Sequence, residues 1–243
     1  MPRLWWLAGA GVVVAYAVVS SWLAPVVLAP IFNDFEDLPQ GRLRSDVIEL
    51  ADRAGVDVGE VLRVDASRRG TSLNAYVDGI GSSKRVVLYD NLIDDADRAE
   101  LEAVVAHELG HVANDDIRRG ILFVVIVAPL GLLTVALAGG ALARRGGAVA
   151  GTPAAIPAYA LLLTVVAFAV GLAGNQLSRK VEASADAFEL RLTSDPEALI
   201  ALQRRIAITN LSDPDPESPL DLVLRTHPTP VQRIGAALAY ESQ

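Results

Sequence analysis

The sequence is poor in the residue types that most often bind metals or form cross-links: it has no cysteine and only three histidines. Without cysteine, disulfides and thiolate metal sites are excluded, so any metal ion must be held by histidine and carboxylate side chains. Positive charge is also in deficit, because 21 Lys and Arg residues stand against 29 Asp and Glu residues, giving a formal net charge of −8. The chain has no electrostatic footprint for nucleic acid, and we expect no nucleic-acid partner.

Apolar residues are abundant and are gathered into blocks. Hydrophobic residues make up 52% of the chain, although 21% of its residues are charged. Three stretches contain no charged residue and reach the length of about 20 residues that a helix needs to cross a bilayer. They are residues 4–32, 120–143 and 157–177, the second with Pro129 as an expected kink. We predict three transmembrane helices in the lipid bilayer and an integral, multi-pass membrane protein.

Two other interpretations of these stretches stay open. The first stretch has the position of a cleaved signal peptide, although its apolar run is longer than usual and no clear basic segment precedes it. The second and third have the composition of a buried helical hairpin in a soluble hydrolase, since fully buried helices are also apolar on every face. Two such long helices in a chain of this size favour the membrane interpretation.

The polar block between the first two stretches predicts a small antiparallel sheet. Residues 46–54 have the spacing of an amphipathic helix and are followed by Gly55 as its C-cap. Short strands are predicted at residues 58–65, 74–77 and 84–89. Residues 79–83 have the composition of the turn between the last two strands.

Further helices are predicted from their capping residues. One starts at Asp97, with Glu100 as its capping-box partner, and runs through Val112. The helix of the third apolar stretch is expected to continue to residue 192. Two later helices start at Asp195–Pro196 and at Thr229–Pro230, on either side of a proline-rich loop at residues 213–219.

The segment His107-Glu108-Leu109-Gly110-His111 lies on the helix predicted ahead of the second apolar stretch. Residues four apart on a helix share a face, so His107 and His111 can hold one metal ion. Zinc suits imidazole ligands, and a catalytic zinc keeps three protein ligands and one water. Glu108 is predicted to take a proton from that water as it attacks a peptide carbonyl. Because the His-Glu-x-x-His pattern also occurs by chance, a third ligand is needed.

Glu182, on the helix that leaves the third apolar stretch, is the candidate third ligand. Asp186 lies four residues later on the same face, where it can accept a hydrogen bond from a ligand imidazole. The alternative is a pair of solvated acids on a surface helix. Two membrane crossings separate His107 from Glu182 and return the chain to the same side, so the ligands can meet. We predict one Zn2+ per chain.

Five segments in this order carry a resemblance to a known family: residues 32–38, 72–79, 84–90, 178–186 and 226–233. They resemble the CAAX prenyl protease 1 and HtpX family of integral-membrane zinc peptidases. The CAAX prenyl protease 1 branch fits better, because of the Asn-Ala-Tyr run at residues 74–76 and the Arg-Val-Val-Leu run at residues 85–88.

The resemblance implies a role for each matching residue. The implied zinc ligands are His107, His111 and Glu182, with Glu108 as general base and Asp186 supporting a ligand histidine. Asn74, Ala75 and Tyr76 would form an edge strand that pairs with an extended substrate backbone. His227 would stabilise the oxyanion and Arg233 would anchor the substrate; the alternatives are a loop histidine and a surface arginine.

The chain departs from the family at its N-terminus. Family members have several more membrane helices, which wall a chamber ahead of the helix that corresponds to residues 4–32. We therefore expect either a shortened relative or a truncated sequence. The substrate is left open between a prenylated peptide and general proteolysis of membrane or misfolded proteins. The resemblance implies a site on the cytoplasmic side, and no feature indicates the oligomeric state.

Together these features predict a mainly α membrane protein. Three transmembrane helices are joined to a small α+β, zincin-like catalytic domain with a short antiparallel sheet. The predicted segments are a first transmembrane helix (1–32), the first part of the catalytic domain (33–119), a second transmembrane helix (120–143), a loop (144–156), a third transmembrane helix (157–177) and the second part of the catalytic domain (178–243). The predicted function is a membrane-embedded zinc metalloendopeptidase. The alternative is a catalytically silent zinc-binding scaffold, which would need neither Glu108 nor His227.

Overall fold

The chain divides into two structural units. The computed structural model describes residues 4–79, 84–211, 213–216 and 218–242. One unit, called the apolar unit here, comprises Met1–Ser21 and Ile117–Leu177; the other, the polar unit, comprises Trp22–Asp116 and Ser178–Gln243. Most of the turn predicted at residues 79–83 lies outside the described residues.

Long helices account for the apolar stretches. Helix α1 spans Trp5–Leu23, α6 spans Asp116–Arg145 and α7 spans Ile156–Thr193. Among the described residues, these three helices are long and apolar enough to cross a membrane. Pro129 lies inside α6, which continues on both sides of it. A short π-helical turn, Ala24–Leu28, and helix α2, Ala29–Phe32, follow α1.

The surfaces of these helices are apolar and open. Large hydrophobic side chains are exposed along each of them, including Val12, Leu122, Leu130, Leu161 and Phe168. A soluble protein rarely exposes so much contiguous apolar surface, because the contact of each apolar side chain with water is unfavourable compared with its burial. The helices therefore suit a lipid environment, and the prediction of a mainly α membrane protein is confirmed.

The polar unit contains a four-stranded sheet. Its strands are β1 (Phe35–Asp37), β2 (Glu60–Val64), β3 (Ala75–Asp78) and β4 (Arg85–Tyr89), in the spatial order β1-β2-β4-β3. The expectation of a wholly antiparallel sheet was wrong in one pairing, since β2 and β4 are parallel. After β2 the chain passes to the far edge to form β3, and β4 then returns into the middle of the sheet beside β2. Strand β1 was not predicted.

Helices α3 and α5 pack with the sheet to form the main core of the polar unit. Helix α3 spans Arg42–Arg53, and Gly55 beyond it has a φ of +69°, as its predicted place at the helix end requires. Helix α4, Asp90–Asp95, follows β4 directly and was not predicted. Helix α5 spans Arg98–Ala113, and its predicted capping box is present. Core side chains include Val47, Leu50, Val86, Leu88, Val105 and Leu109.

The second half of the polar unit adds helices to this core. Helix α8 spans Pro196–Thr209, α9 spans Pro219–Leu224 and α10 spans Pro230–Glu241. The predicted starts of α8 and α10 are confirmed, since Asp195 and Thr229 each cap their helix. Arg205 on α8 donates to both carboxylate oxygens of Glu100, at 2.9 and 2.7 Å, and so ties α8 to the first turn of α5.

Candidate metal centre

Helices α5 and α7 bring three potential metal ligands together in the polar unit. His107 and His111 lie one turn apart on α5, with 3.2 Å between their Nε2 atoms. Glu182 on α7 has one carboxylate oxygen 3.4 Å from Nε2 of His107 and the other 3.7 Å from Nε2 of His111. All three ligand atoms lie within 4.8 Å of one another. The helix spacing thus presents both imidazoles to one carboxylate.

Gly110 permits the close approach of α5 and α7 at this point. A Cβ atom at Gly110 would lie 3.2 Å from Phe188 and 3.3 Å from the Cα atom of Ala185, both on α7. These separations are tighter than ordinary van der Waals contacts. The absence of a side chain at Gly110 therefore allows α5 and α7 to lie this close together.

The two histidines are held in the same tautomer by carboxylates behind them. Nδ1 of His107 lies 2.9 Å from Asp186, and Nδ1 of His111 lies 3.0 Å from Asp116. A carboxylate at this distance accepts the Nδ1–H hydrogen bond, which leaves the Nε2 lone pair free for a metal. Asp186 was predicted for this position from the sequence, whereas Asp116 was not.

The donor set fits a zinc ion. Ligand atoms about 2.0–2.2 Å from a tetrahedral zinc lie about 3.3–3.5 Å from each other. The three separations found here, 3.2, 3.4 and 3.7 Å, are close to that spacing, the last two being to different oxygens of Glu182. Two imidazole nitrogens and one carboxylate are also a ligand set that catalytic zinc sites use, with one position left open. The residues present are therefore chemically and geometrically suited to zinc.

The electrostatics of the cluster attract a cation. Burial of His107 opposes its protonation, but hydrogen bonds to Asp186 and Glu182 outweigh burial and raise its pKa to about 9. A metal ion at Nε2 competes with such a proton for the same lone pair. Burial also raises the pKa of Glu108, which the two neighbouring histidines partly offset. A carboxylate with a raised pKa is better matched to proton transfer near neutral pH than an exposed one.

Arg233 fills the space on the other side of His107. Its guanidinium donates from Nε to Asp186 at 2.9 Å, makes a second bond to the same carboxylate, and lies 3.2 Å from Nδ1 of His107. Glu189, which sequence reasoning missed, is fully buried and lies 3.9 Å from Nδ1 of His107. His107, Asp186 and Glu189 form a second group of potential ligands. The contacts of Arg233 already provide a positive charge there.

His227 lies on the open side of the site. Its Nδ1 is 3.1 Å from Glu182, and its side chain is 64% exposed. The bond to Glu182 raises the pKa of His227, although burial opposes this. The structure thus places the predicted His227 beside the third ligand, while Arg233 contacts Asp186 and His107 inside the protein.

A cleft opens over the three ligands. It is lined by Leu73, Asn74, Val104, His107, Glu108, His111, Glu182, Leu202, Gln203, Ile206, His227 and Arg233.

Of the predicted substrate strand, residues 74–76, Asn74 lines this cleft. Ala75 is buried, and Tyr76 packs with Leu62, Val64 and Val87 in a separate small cluster. Burial raises the pKa of the Tyr76 hydroxyl to about 12. Strand β3 is nevertheless at the edge of the sheet, because β4 is its neighbour on one side only.

The chain is similar to known proteins over most of its length. The chain is 32% identical over 240 residues to the uncharacterized metalloprotease YhfN of Bacillus subtilis, covering 96% of this chain and 56% of the relative. It is 33% identical over 228 residues to a CAAX prenyl protease 1 homolog of Arabidopsis thaliana, covering 90% of this chain and 53% of the relative. The crystal structure of Ste24p from S. mikatae superposes with a TM-score of 0.81 at 26% identity, covering 96% of this chain and 58% of that one.

The chain spans about half the length of the curated relatives that it matches over most of its own length. Residues 37–241 match the profile of peptidase family M48, a range that includes every predicted ligand and the cleft around them. As a metallopeptidase family, it implies a metal ion, for which the three converging ligands are suited. The chain belongs to peptidase family M48.

Proposed function

We propose that the protein is a membrane-embedded zinc metalloendopeptidase with one Zn2+ per chain, held by His107, His111 and Glu182. The observation that carries the proposal is the convergence of these three side chains in a chain of family M48. When bound, zinc supplies a Lewis acid that lowers the pKa of a water molecule to about 7 and polarises a peptide carbonyl.

The remaining residues of the cleft have separable roles in this proposal. Glu108 accepts the proton of the attacking water and returns it to the leaving amine nitrogen. His227, beside Glu182, donates a hydrogen bond to the oxyanion that forms on the substrate carbonyl. Asp186 and Asp116 keep the two imidazoles in the tautomer that binds metal. Arg233 holds Asp186 in place from behind, a role that its contacts favour over direct anchoring of substrate.

The substrate in this proposal is an extended segment of peptide or protein at the edge of β3. Asn74 lines the cleft at the start of this strand, and residues 74–76 offer main-chain groups to a partner strand. Pairing with an edge strand grips the main chain of any sequence. The relatives named CAAX prenyl protease 1 make a prenylated peptide one candidate substrate and an unfolded membrane protein the other.

The proposed arrangement in the membrane follows the sequence pattern. Residues 1–32, 120–143 and 157–177 are the transmembrane segments, 144–156 is the loop between the last two, and 33–119 with 178–243 forms the catalytic domain. The chain is multi-pass, and the catalytic domain lies on the cytoplasmic side. Attachment of a reporter enzyme after residue 243 and in the loop tests this topology directly.

The central test of the function is Glu108→Gln. The variant keeps the size and burial of the side chain but cannot accept a proton, so we expect unchanged zinc content and a loss of cleavage of at least a hundredfold. Zinc is measured by elemental mass spectrometry, and cleavage on an unfolded protein and on one peptide with and without a prenyl group. Glu102→Gln on the same helix is the control, because Glu102 pairs with Arg53 on the far side.

The possible results of this experiment distinguish the peptidase from a zinc-binding scaffold and one substrate class from the other. Cleavage by Glu108→Gln at the wild-type rate would show that the proposed mechanism is wrong. Bound zinc without chelator-sensitive hydrolysis of any substrate by the wild type would favour the zinc-binding scaffold instead. A preference for the prenylated form would assign the substrate class of the CAAX prenyl proteases, and equal cleavage would favour unfolded protein.

A further inference from the structure

The side of the cleft formed by α8 carries one polar group in an otherwise aliphatic surface. Leu202, Gln203 and Ile206 line the cleft from α8, and Leu73 and Val104 line it from neighbouring elements. Arg205 fixes α8 to α5 through its double hydrogen bond to Glu100, so this wall is held in place. We refer to the cleft surface formed by these five side chains as the α8 wall.

Gln203 is unusual because the nitrogen of its side-chain amide is buried without a partner. The residue is only 3% exposed, and its Nε2 has no hydrogen-bond partner within the part of the chain that the structure describes. An amide N–H taken out of water without a new acceptor is costly, and proteins rarely keep such a group without a use. Because Gln203 also lines the cleft over the proposed metal ligands, rotation of its terminal amide can bring Nε2 to an oxygen atom that enters the cleft.

The surroundings select the kind of oxygen that fits. The aliphatic members of the α8 wall accept the carbon stem of a side chain, but they offer no hydrogen bond. Glu108 and Glu182 line the same cleft, and its positive side chains Arg233 and His227 are already paired with carboxylates. A further negative charge is therefore disfavoured there. A neutral oxygen on an apolar stem meets both conditions, and glutamine, asparagine, threonine and serine side chains carry one.

We propose that Gln203 is a specificity-determining residue that donates a hydrogen bond from Nε2 to a neutral oxygen-bearing side chain of the substrate. This inference deepens the proposed peptidase function and rests on it for its use in cleavage. A site built to hydrogen-bond a side chain rejects the aliphatic analogue, because the buried donor is then left unpaired. The α8 wall therefore selects glutamine-like residues over leucine at one substrate position.

The test compares substrate preference in the wild type and in Gln203→Met. Internally quenched peptides carry glutamine, leucine or glutamate in turn at each position around the cleaved bond. At one position we expect the wild type to prefer glutamine over leucine by about tenfold in kcat/KM and to disfavour glutamate. Gln203→Met should abolish that preference and keep or raise the kcat/KM of the leucine peptide. Gln40→Met, at an exposed position, should leave the profile unchanged.

Binding measured without turnover keeps this inference separate from the proposed function. The same peptides are titrated against Glu108→Gln, alone and combined with Gln203→Met, by fluorescence anisotropy. Preferential binding of the glutamine peptide that is lost in Gln203→Met would support the inference. If the wild type also cleaved no peptide, that result would count against the proposed peptidase function but not against the inference. Equal binding of all peptides, or an equal loss for all of them in Gln203→Met, would overturn it.

Thermal stability provides a further check on the same variant. Removal of an unpaired donor leaves no broken hydrogen bond, so the melting temperature of Gln203→Met should equal or exceed that of the wild type. A clear fall in melting temperature would show that the amide has a structural partner, and would overturn the inference.

Discussion

Asp116 holds His111, the second proposed metal ligand, from a position beyond the end of α5. It follows His111 by five residues, and Asp115 between the two helices has a φ of +57°. This left-handed residue ends α5 and turns the chain so that the Asp116 carboxylate returns to Nδ1 of His111 at 3.0 Å. The sequence shows an acidic pair at this place but not the turn that aims it. Asp186 was predictable because it lies one helical turn after Glu182.

Replacement of Asp116 by alanine should weaken metal binding. The substitution removes the acceptor that fixes the His111 tautomer, and loss of such an outer partner typically costs about 10–100-fold in metal affinity. The affinity is measured by competition with a chromogenic zinc chelator. Asp94→Ala serves as a control, since Asp94 is exposed on α4. Unchanged affinity in the Asp116 variant would mean that the contact does not orient the ligand.

Local signals were sufficient for the longer helices of the polar unit, but insufficient for the short helices α4 and α9 and for the sheet. Caps such as Asp97 with Glu100 act within one turn, so the starts of α5, α8 and α10 were predicted from the sequence. The partner of a strand, in contrast, is chosen over a long sequence distance. Strand β4 lies between β2 and β3, and alternation of apolar residues contains no record of that order. Strand β1, with three residues, is too short to show alternation at all.

The contact between α5 and α7 at Gly110 makes a prediction about packing. Gly110→Ala raises the helix propensity of α5 by about 1 kcal/mol, but the added methyl group meets Phe188 and Ala185 at about 3.2–3.3 Å. Overpacking of this kind costs about 1–3 kcal/mol. We expect a net loss of stability, a melting temperature lower by roughly 2–4 °C, and weaker zinc binding because Glu182 moves away.

Gly120→Ala is the matched control for this packing effect. Gly120 lies within helix α6 and has open space where a Cβ atom would be added. Its replacement should therefore show only the propensity gain, seen as an equal or slightly higher melting temperature by differential scanning fluorimetry. If Gly110→Ala were also stabilised, the helix contact would not be tight in solution.

At the scale of the whole molecule, the proposed metal ligands come from two distant parts of the chain. His107 and His111 belong to the first segment of the polar unit, and Glu182 belongs to the second. The charge-free stretches and their number were evident from composition, and the motif supplied two ligands. The depth of burial of Asp186, Glu189 and Arg233 was not evident, because it depends on how α7 and α10 pack against α5.

Removal of the metal should loosen the connection between these two segments. Any ligand that binds only the folded state adds stability, about 4 kcal/mol when its concentration exceeds the dissociation constant a thousandfold. A zinc chelator should therefore lower the melting temperature of the detergent-solubilised wild type, and added zinc should restore it. His111→Ala lacks one ligand and should respond much less to the chelator. If neither the chelator nor added zinc changed the melting temperature of the wild type, that result would count against a metal ion bound by both segments.

In the proposed peptidase, the split of the ligand set also determines when hydrolysis can first begin. Ribosomes make His107 before Glu182, and the 74 residues between them include the apolar parts of the two long helices α6 and α7. A nascent chain therefore has the motif helix but only two of its ligands until these apolar parts are complete. Hydrolysis cannot begin before Glu182 is present. The protein therefore does not cleave neighbouring nascent chains while its own membrane segments are still being synthesised.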